Sequence, residues 1–297
     1  MKKSLSLTVV IPYLNQLNDT KGPMGCLRHN TSETTEWLII DNGSTEKIEQ
    51  FFLRYLRPKR MNFIRNEENI GMLKTMQQGY ENADTDIIAF LHNDVFIFER
   101  DWDKRILSYF EQQLDLGGIG LFGAQGCGLI GERIQDVPSP DVMAGMSNML
   151  EAEIHGMRMA EPWRNVAIFD GFAMIFRKEA LKKSNGFDQR YHYHHLYDRD
   201  ASLEVLKNGY RNIVVDIPCH HLSGLTANRT DYQEWINKKT NRPDGDKWTH
   251  DDNSVIFKNK WADMLPLYVE NDGSFRANSS GQWQFKGDKI KSGLDKS

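Results

Sequence analysis

The stretch DIIAFLHNDVFI, residues 86–97, decides how this chain is read. Ile87 to Leu91 form an apolar run suited to a buried strand, interrupted by His92, Asn93 and Asp94 before apolar residues resume at Val95. No Lys or Arg stands within five residues upstream of the carboxylate. An unpaired buried carboxylate is costly, so this one is expected to be ion-paired, metal-bound or open to a solvent-filled site.

On either side of this stretch, short β-branched runs alternate with stretches of helical period, the pattern of an α/β protein with a mainly parallel sheet. Strands are expected at LSLTVVIP (5–12), EWLIIDN (36–42), MNFIRN (61–66), DIIAFLHND (86–94), AMIFRK (173–178) and NIVVDIPCHHLSG (212–224). TEKIEQFFLRYL (45–56), GMLKTMQQGYENA (71–83) and ASLEVLKNGY (201–210) read as helices. Ligands of open α/β sheets bind beyond the carboxyl ends of the strands. That rule gathers Pro12, Tyr13 and Asn15, Asp41 to Ser44, Asn66 to Gly71, and His92 to Asp94 around one crevice.

Bulk properties narrow the class. With 297 residues, 39% hydrophobic and 26% charged, the chain has the composition of a globular protein and can hold a substantial core. No apolar run approaches the length of a membrane span. The start, MKKSLSLTVVIP, reads as a first strand rather than a signal peptide, and the expected location is cytoplasmic. Cys26, Cys127 and Cys219 have no paired spacing and suggest neither a disulfide framework nor a thiolate zinc site. A formal net charge of -4 and a pI near 6.2 provide no global field for nucleic acid.

Four segments carry polar chemistry. In IIDNGSTE (39–46), Asp41, Asn42, Gly43 and Ser44 stand at a strand-to-helix junction, where Asp41 could accept bonds from a ribose or base; the same residues also make an ordinary turn. In ENIGMLKT (68–75), backbone N–H groups after Gly71 and the Lys74 ammonium could face an anion, or the segment is a plain helix start. YHYHHLYDRD (191–200) brings His192, His194 and His195 before Asp198 and Asp200 at a helix N-terminus, which favours carboxylates. The strand ending at His220 and His221 supplies a second set of metal-ligand type to match Asp94.

In order, VVIPYLN, IIDNGS, NIGMLKTMQQGY, FLHNDVFI, DGFAMIFRKEAL, YDRDASLEVLKNGY and CHHLSG resemble a family 2 glycosyltransferase of the GT-A fold over residues from about 6 to 225. The resemblance implies a Rossmann-like sheet flanked by helices, a nucleotide-sugar donor, Mn²⁺ or Mg²⁺, and single-displacement transfer with inversion. It places Asp94 at the last carboxylate of the D-x-D strand end, with His92 at the first acidic position and Asn93 between. It assigns Asp198 as general base, with Tyr197 where the family has Glu, and His221 or His220 as the late metal ligand. Asp41 would contact the nucleotide and Tyr13 flank its base.

On this reading residues 1–225 form the transferase domain, with a donor half over about 1–115 and an acceptor half over about 116–225. Residues 116–165, rich in Gly and Met, are expected as loops on the substrate side. Residues 226–297 are a polar extension with one helix near 252–266 and a loosely ordered tail. The acceptor would be a glycan or lipid-linked saccharide, with peripheral membrane contact left open. The alternatives are a non-catalytic nucleotide-sugar or glycan-binding module and a glycosyltransferase acting on modified DNA, against which the acidic balance argues.

Overall fold

The computed structural model describes residues 4–46, 49–56, 60–134, 159, 161–222 and 229–276. The expected tail from 278 onward, residues 135–158 of the Gly/Met-rich segment and the end of HHLSG lie outside them.

Eight strands form the central sheet: β1 (Leu7–Tyr13), β2 (Glu36–Asp41), β3 (Met61–Arg65), β4 (Ile87–Leu91), β6 (Leu116–Gly120), β10 (Trp163–Asn165), β12 (Ala173–Arg177) and β13 (Arg211–Val215), in the order β10-β13-β6-β12-β4-β1-β2-β3. Pairings from β4 through β1 and β2 to β3 are parallel, as is β6 with β13, whereas β12 runs antiparallel to both of its neighbours and β10 antiparallel to β13. The fold is thus α/β with a mainly parallel sheet, as expected. β1, LTVVIPY, is buried along its whole length, as a strand with helices on both faces must be. Val10, Phe90 and Met174 face one apolar layer, and Val9, Ala89 and Ile175 the other.

The strand order positions the site. β4 and β2 flank β1 in parallel, so Tyr13, Asn42 and His92 leave the sheet at the same edge. β12 is antiparallel to β4, with Ala173 opposite Leu91, so the residues that enter β12, Asp170 to Phe172, arrive at that edge too.

Several expectations are corrected. Strand β4 ends at Leu91, and His92 to Asp94 form the turn into a short strand β5 (Val95–Ile97). The segment 212–224 is not one strand: β13 stops at Val215, and after Pro218 a separate β14 (Cys219–His221) pairs antiparallel with β5. The helix expected over 45–56 is reduced, among the described residues, to a turn at Glu49–Phe51 and a π-helical turn at Phe52–Leu56. LGGIG (116–120) is no loop but the buried strand β6, whose glycines make room for large neighbours. A Cβ on Gly118 would lie 2.5 Å from Asn212 Oδ1 and 2.8 Å from Phe169. Asp198 and Asp200, expected at a helix N-terminus, lie in the first turn of helix Tyr197–Lys207.

The helices Leu17–Asn30, Trp102–Gln112 and Thr230–Thr240 were not expected from periodicity, and the helix near 252–266 spans Gly245–Trp261 instead. Phe257, Trp261, Met264 and Leu267 belong to the same apolar cluster as Phe169 and Leu203, so the described part of the polar extension packs into the main core. No helix among the described residues is long and apolar enough to cross a membrane.

Candidate active site

A cavity of about 330 Å³ opens at the strand edge. It is lined by Pro12, Tyr13, Asn42, His92, Asn93 and Asp94 from the strand ends and the turn after β4, and by Asp170, Tyr197, Asp198, Arg199, His221 and Tyr232 from later in the chain.

His92, Asp94 and His221 converge so that one ligand atom from each lies within 4.8 Å of the others. The convergence follows from local pairing: β14 against β5 sets His221 opposite Val95, and the Leu222 N–H donates to the Asp94 carbonyl. His221 Nε2 is 3.2 Å from Asp94 Oδ1, and its ring stacks on Phe172 at 4.8 Å between centroids. Burial alone would raise the Asp94 pKa, but contact with His221 and the nearby His92 outweigh it and hold the carboxyl below its usual range. Burial pushes the His92 imidazole down, favouring the neutral ring. His92 Nε2 is buried with no hydrogen-bond partner among the described residues, and Asp94 Oδ1, though 3.2 Å from His221 Nε2, is not in hydrogen-bond geometry with it. Buried polar atoms are almost always satisfied. Two imidazole nitrogens and a carboxylate converging this way suit a divalent cation, so the donor set fits the metal implied by the sequence.

His220 is not brought to this cluster. It alternates to the other side of β14, where its ring stacks over Phe96 at 6.1 Å. Asn93 lines the cavity, but its side-chain amide donates to Thr20 Oγ1 at 2.7 Å.

The nucleotide-side residues divide. Pro12, Tyr13 and Asn42 face the cavity, whereas Asn15, Asp41, Gly43, Ser44, Gly71 and Lys74 do not line it. Asp41 is fully buried, with one oxygen accepting from the Ser44 N–H at 2.8 Å and the other from Arg65 at 2.9 Å. Ser44 Oγ in turn accepts the Asn15 N–H at 2.8 Å. Gly43 has φ +83°, and a Cβ there would lie 2.4 Å from the Glu68 carbonyl carbon, so loop 66–71 can approach only a glycine. Asn42 ties the same loop by accepting the Ile70 N–H. Gly71 packs under Tyr193, and Lys74 is exposed on the first turn of helix Met72–Asn82. Together these residues build the wall that carries Asn42 and Asn69.

Asp198 is presented to the same cavity by the start of helix Tyr197–Lys207. The Arg199 N–H donates to Asp198 Oδ1 at 2.9 Å, and the Arg199 guanidinium approaches to 3.7 Å. Ser202 Oγ donates to the Asp198 carbonyl at 2.7 Å and accepts from the Phe169 N–H, which fixes this helix start on the chain that leads to Asp170. Asp200, one turn position on, points away: it accepts from Tyr191 and Trp261 and pairs with Lys260 at 2.8 Å, a structural role.

Among the polar lining residues, Asp170, Arg199 and Tyr232 were missed by sequence reasoning. Asp170 is ion-paired to Arg133; burial opposes its ionisation, but Arg133 and Arg199 outweigh that and keep its pKa low. Its position in DGFAMIF, just before a strand, was the available signal.

A family model described as a glycosyltransferase-like family matches residues 58–260, from β3 through the helix Gly245–Trp261. The chain belongs to that family. A curated relative, an uncharacterized glycosyltransferase of Rickettsia bellii, is 25% identical over 104 residues, which is 35% of this chain and only 15% of the relative. Among solved structures, the mannosyltransferase PcManGT of Pyrobaculum calidifontis, in complex with GDP-Man and Mn²⁺, superposes with a TM-score of 0.57 at 15% identity, over 86% of this chain and 65% of that one. S. aureus TarS in complex with UDP-GlcNAc gives 0.52 at 15% identity, over 86% and 72%. At these identities the likeness is one of fold, the GT-A architecture expected for a family 2 glycosyltransferase.

Proposed function

We propose that this glycosyltransferase-family protein is a metal-dependent inverting enzyme, transferring a sugar from a nucleotide-sugar donor to a glycan or lipid-linked saccharide acceptor. The observation that carries the reading is the placement of His92, Asp94 and His221 within 4.8 Å of one another on a cavity that Asp198 also lines. The Mn²⁺-bound complex of PcManGT supports a divalent cation, and the ligands of both structural relatives support a nucleotide-sugar donor.

His92, Asp94 and His221 would hold the cation, which when bound supplies positive charge against the diphosphate leaving group. Pro12, Tyr13 and Asn42 border the same pocket on the side of the parallel strand ends and are assigned to the nucleotide. Tyr13 keeps its proton: burial and the nearby Glu46 raise its pKa. Asp198 takes the proton of the acceptor hydroxyl as that oxygen bonds to the anomeric carbon and the bond to the diphosphate breaks. Arg199, bonded to Asp198 through its backbone, keeps the carboxylate oriented toward the cavity.

The test is a thermal-shift screen of the purified protein against UDP-, GDP-, CMP- and dTDP-sugars, each with Mn²⁺, Mg²⁺ or EDTA. A ligand of the folded state raises the midpoint by mass action. The expected result is a metal-dependent rise with one nucleotide class. No rise with any donor, in a protein shown to be folded, would instead favour a glycan-binding module on the same scaffold.

A further inference from the structure

A second cluster of ligand-type side chains, separate from His92, Asp94 and His221, borders the same cavity through His194 and His195. His194, His195 and Asp246 also bring one ligand atom each to within 4.8 Å of the others. His194 Nε2 is 2.6 Å and His195 Nε2 3.1 Å from the same oxygen, Asp246 Oδ1, and the two imidazole rings are only 3.9 Å apart between centroids. From the geometry we infer that His194, His195 and Asp246 form a second divalent-cation site, selective for a borderline ion such as Zn²⁺, with its open coordination position facing the cavity.

Three further observations support a built site. The other nitrogen of His194, Nδ1, is 2.7 Å from the Tyr232 hydroxyl, the kind of outer partner that fixes the ring of a metal-ligating histidine. The loop is held in an uncommon backbone shape, with Tyr193, His195 and Leu196 at φ of 37°, 68° and 61°. Such conformations persist in non-glycine residues only where the surroundings over-determine them. Here Asn253 provides the restraint, its side-chain amide donating to the carbonyls of His192, His194 and His195 at 3.0, 2.6 and 3.3 Å. Finally, His194 and His195 line the cavity, leaving a face of the cluster accessible for a water or a substrate oxygen.

A two-histidine, one-carboxylate set with an open position is the ligand pattern of zinc sites that bind substrate or water. Occupied, it would clamp the loop that runs directly into Asp198 onto helix Gly245–Trp261, and set a cation at the edge of the cavity.

The experiment uses the full chain carrying Asp94→Asn, which removes the carboxylate of the first cluster; zinc held by the remaining His92 and His221 is told apart by the second variants, which leave those two residues intact. After dialysis against EDTA, the protein is titrated with Zn²⁺ by calorimetry, and bound zinc is counted after gel filtration. One equivalent is expected, lost on adding Asp246→Asn or His195→Gln, each shown to be folded by circular dichroism. If Asp246→Asn does not fold, His195→Gln decides. No bound zinc in the Asp94→Asn chain, or an undiminished equivalent in a folded second variant, overturns the site.

Discussion

His221 Nε2 and Asp94 Oδ1 face each other at 3.2 Å across the pairing of β14 with β5, while the adjacent His220 turns away to stack on Phe96. Strand alternation therefore separates the two histidines chemically. Replacing His221 with Ala should weaken Mn²⁺-dependent donor binding about a hundredfold or more, since a ligand counts for at least as much as its outer partners. His220→Ala should leave it within about twofold. Calorimetric titration of both variants checks this, and equal losses would remove His221 from the metal shell.

Asp198→Asn preserves shape and the bond from the Arg199 N–H but cannot take a proton. Turnover should fall by about 10² to 10⁴, the usual contribution of a positioned base, with donor affinity unchanged. Steady-state kinetics with the donor found by screening would show it; normal turnover would exclude Asp198 as the base.

At Gly43 the constraint is steric. Gly43→Ala forces a Cβ to within 2.4 Å of the Glu68 carbonyl carbon at φ +83°, so the junction must shift. A loss of about 1–3 kcal/mol is expected in urea unfolding. An unchanged midpoint would show that loop 66–71 does not depend on this contact.

Lys260 is shared by three carboxylates, Asp188 at 2.9 Å, Asp200 at 2.8 Å and Glu204 at 2.9 Å. Lys260→Met leaves buried negative charge without its cation and should cost about 3–5 kcal/mol. For Asp188, burial opposes ionisation, but the Arg190 and Lys260 contacts outweigh it and its folded pKa is depressed. Its stabilisation is therefore present above its unfolded pKa, about 3.9, and lost as pH falls through the lower folded value. Asp200 has the opposite sign, because its burial raises its pKa. Asp188→Asn should accordingly flatten the acid side of the stability profile below about pH 4, as measured by denaturation at a series of pH values.

The parallel strands were legible because β1, β2 and β4 are buried on both faces and read as continuous apolar runs. Strand β6 was not, since LGGIG owes its place to space needed by Phe169 and Tyr210, a tertiary demand with no local signature. Helix Leu17–Asn30 was hidden by Gly22, Pro23 and Gly25 within it. In the site, His92, Asp94 and His221 were visible as polar groups ending apolar runs. Asp170 had a weaker signal, its place just before a strand, because what brings it to the cavity is the antiparallel insertion of β12. Asp41 was visible as a carboxylate at a strand end, but its bonds to Ser44 and Arg65, which brace the junction, depend on the neighbouring strand and turn and carry no local signature.

The central claim, that His92, Asp94 and His221 hold a cation on which donor binding depends, is tested most directly by titrating wild-type and Asp94→Asn protein with the nucleoside diphosphate of the selected donor, in Mn²⁺ and in EDTA. Binding in Mn²⁺ that disappears both in EDTA and in the variant is the predicted result. Equal affinity in Mn²⁺ and EDTA, or full Mn²⁺-dependent binding by folded Asp94→Asn, would contradict it.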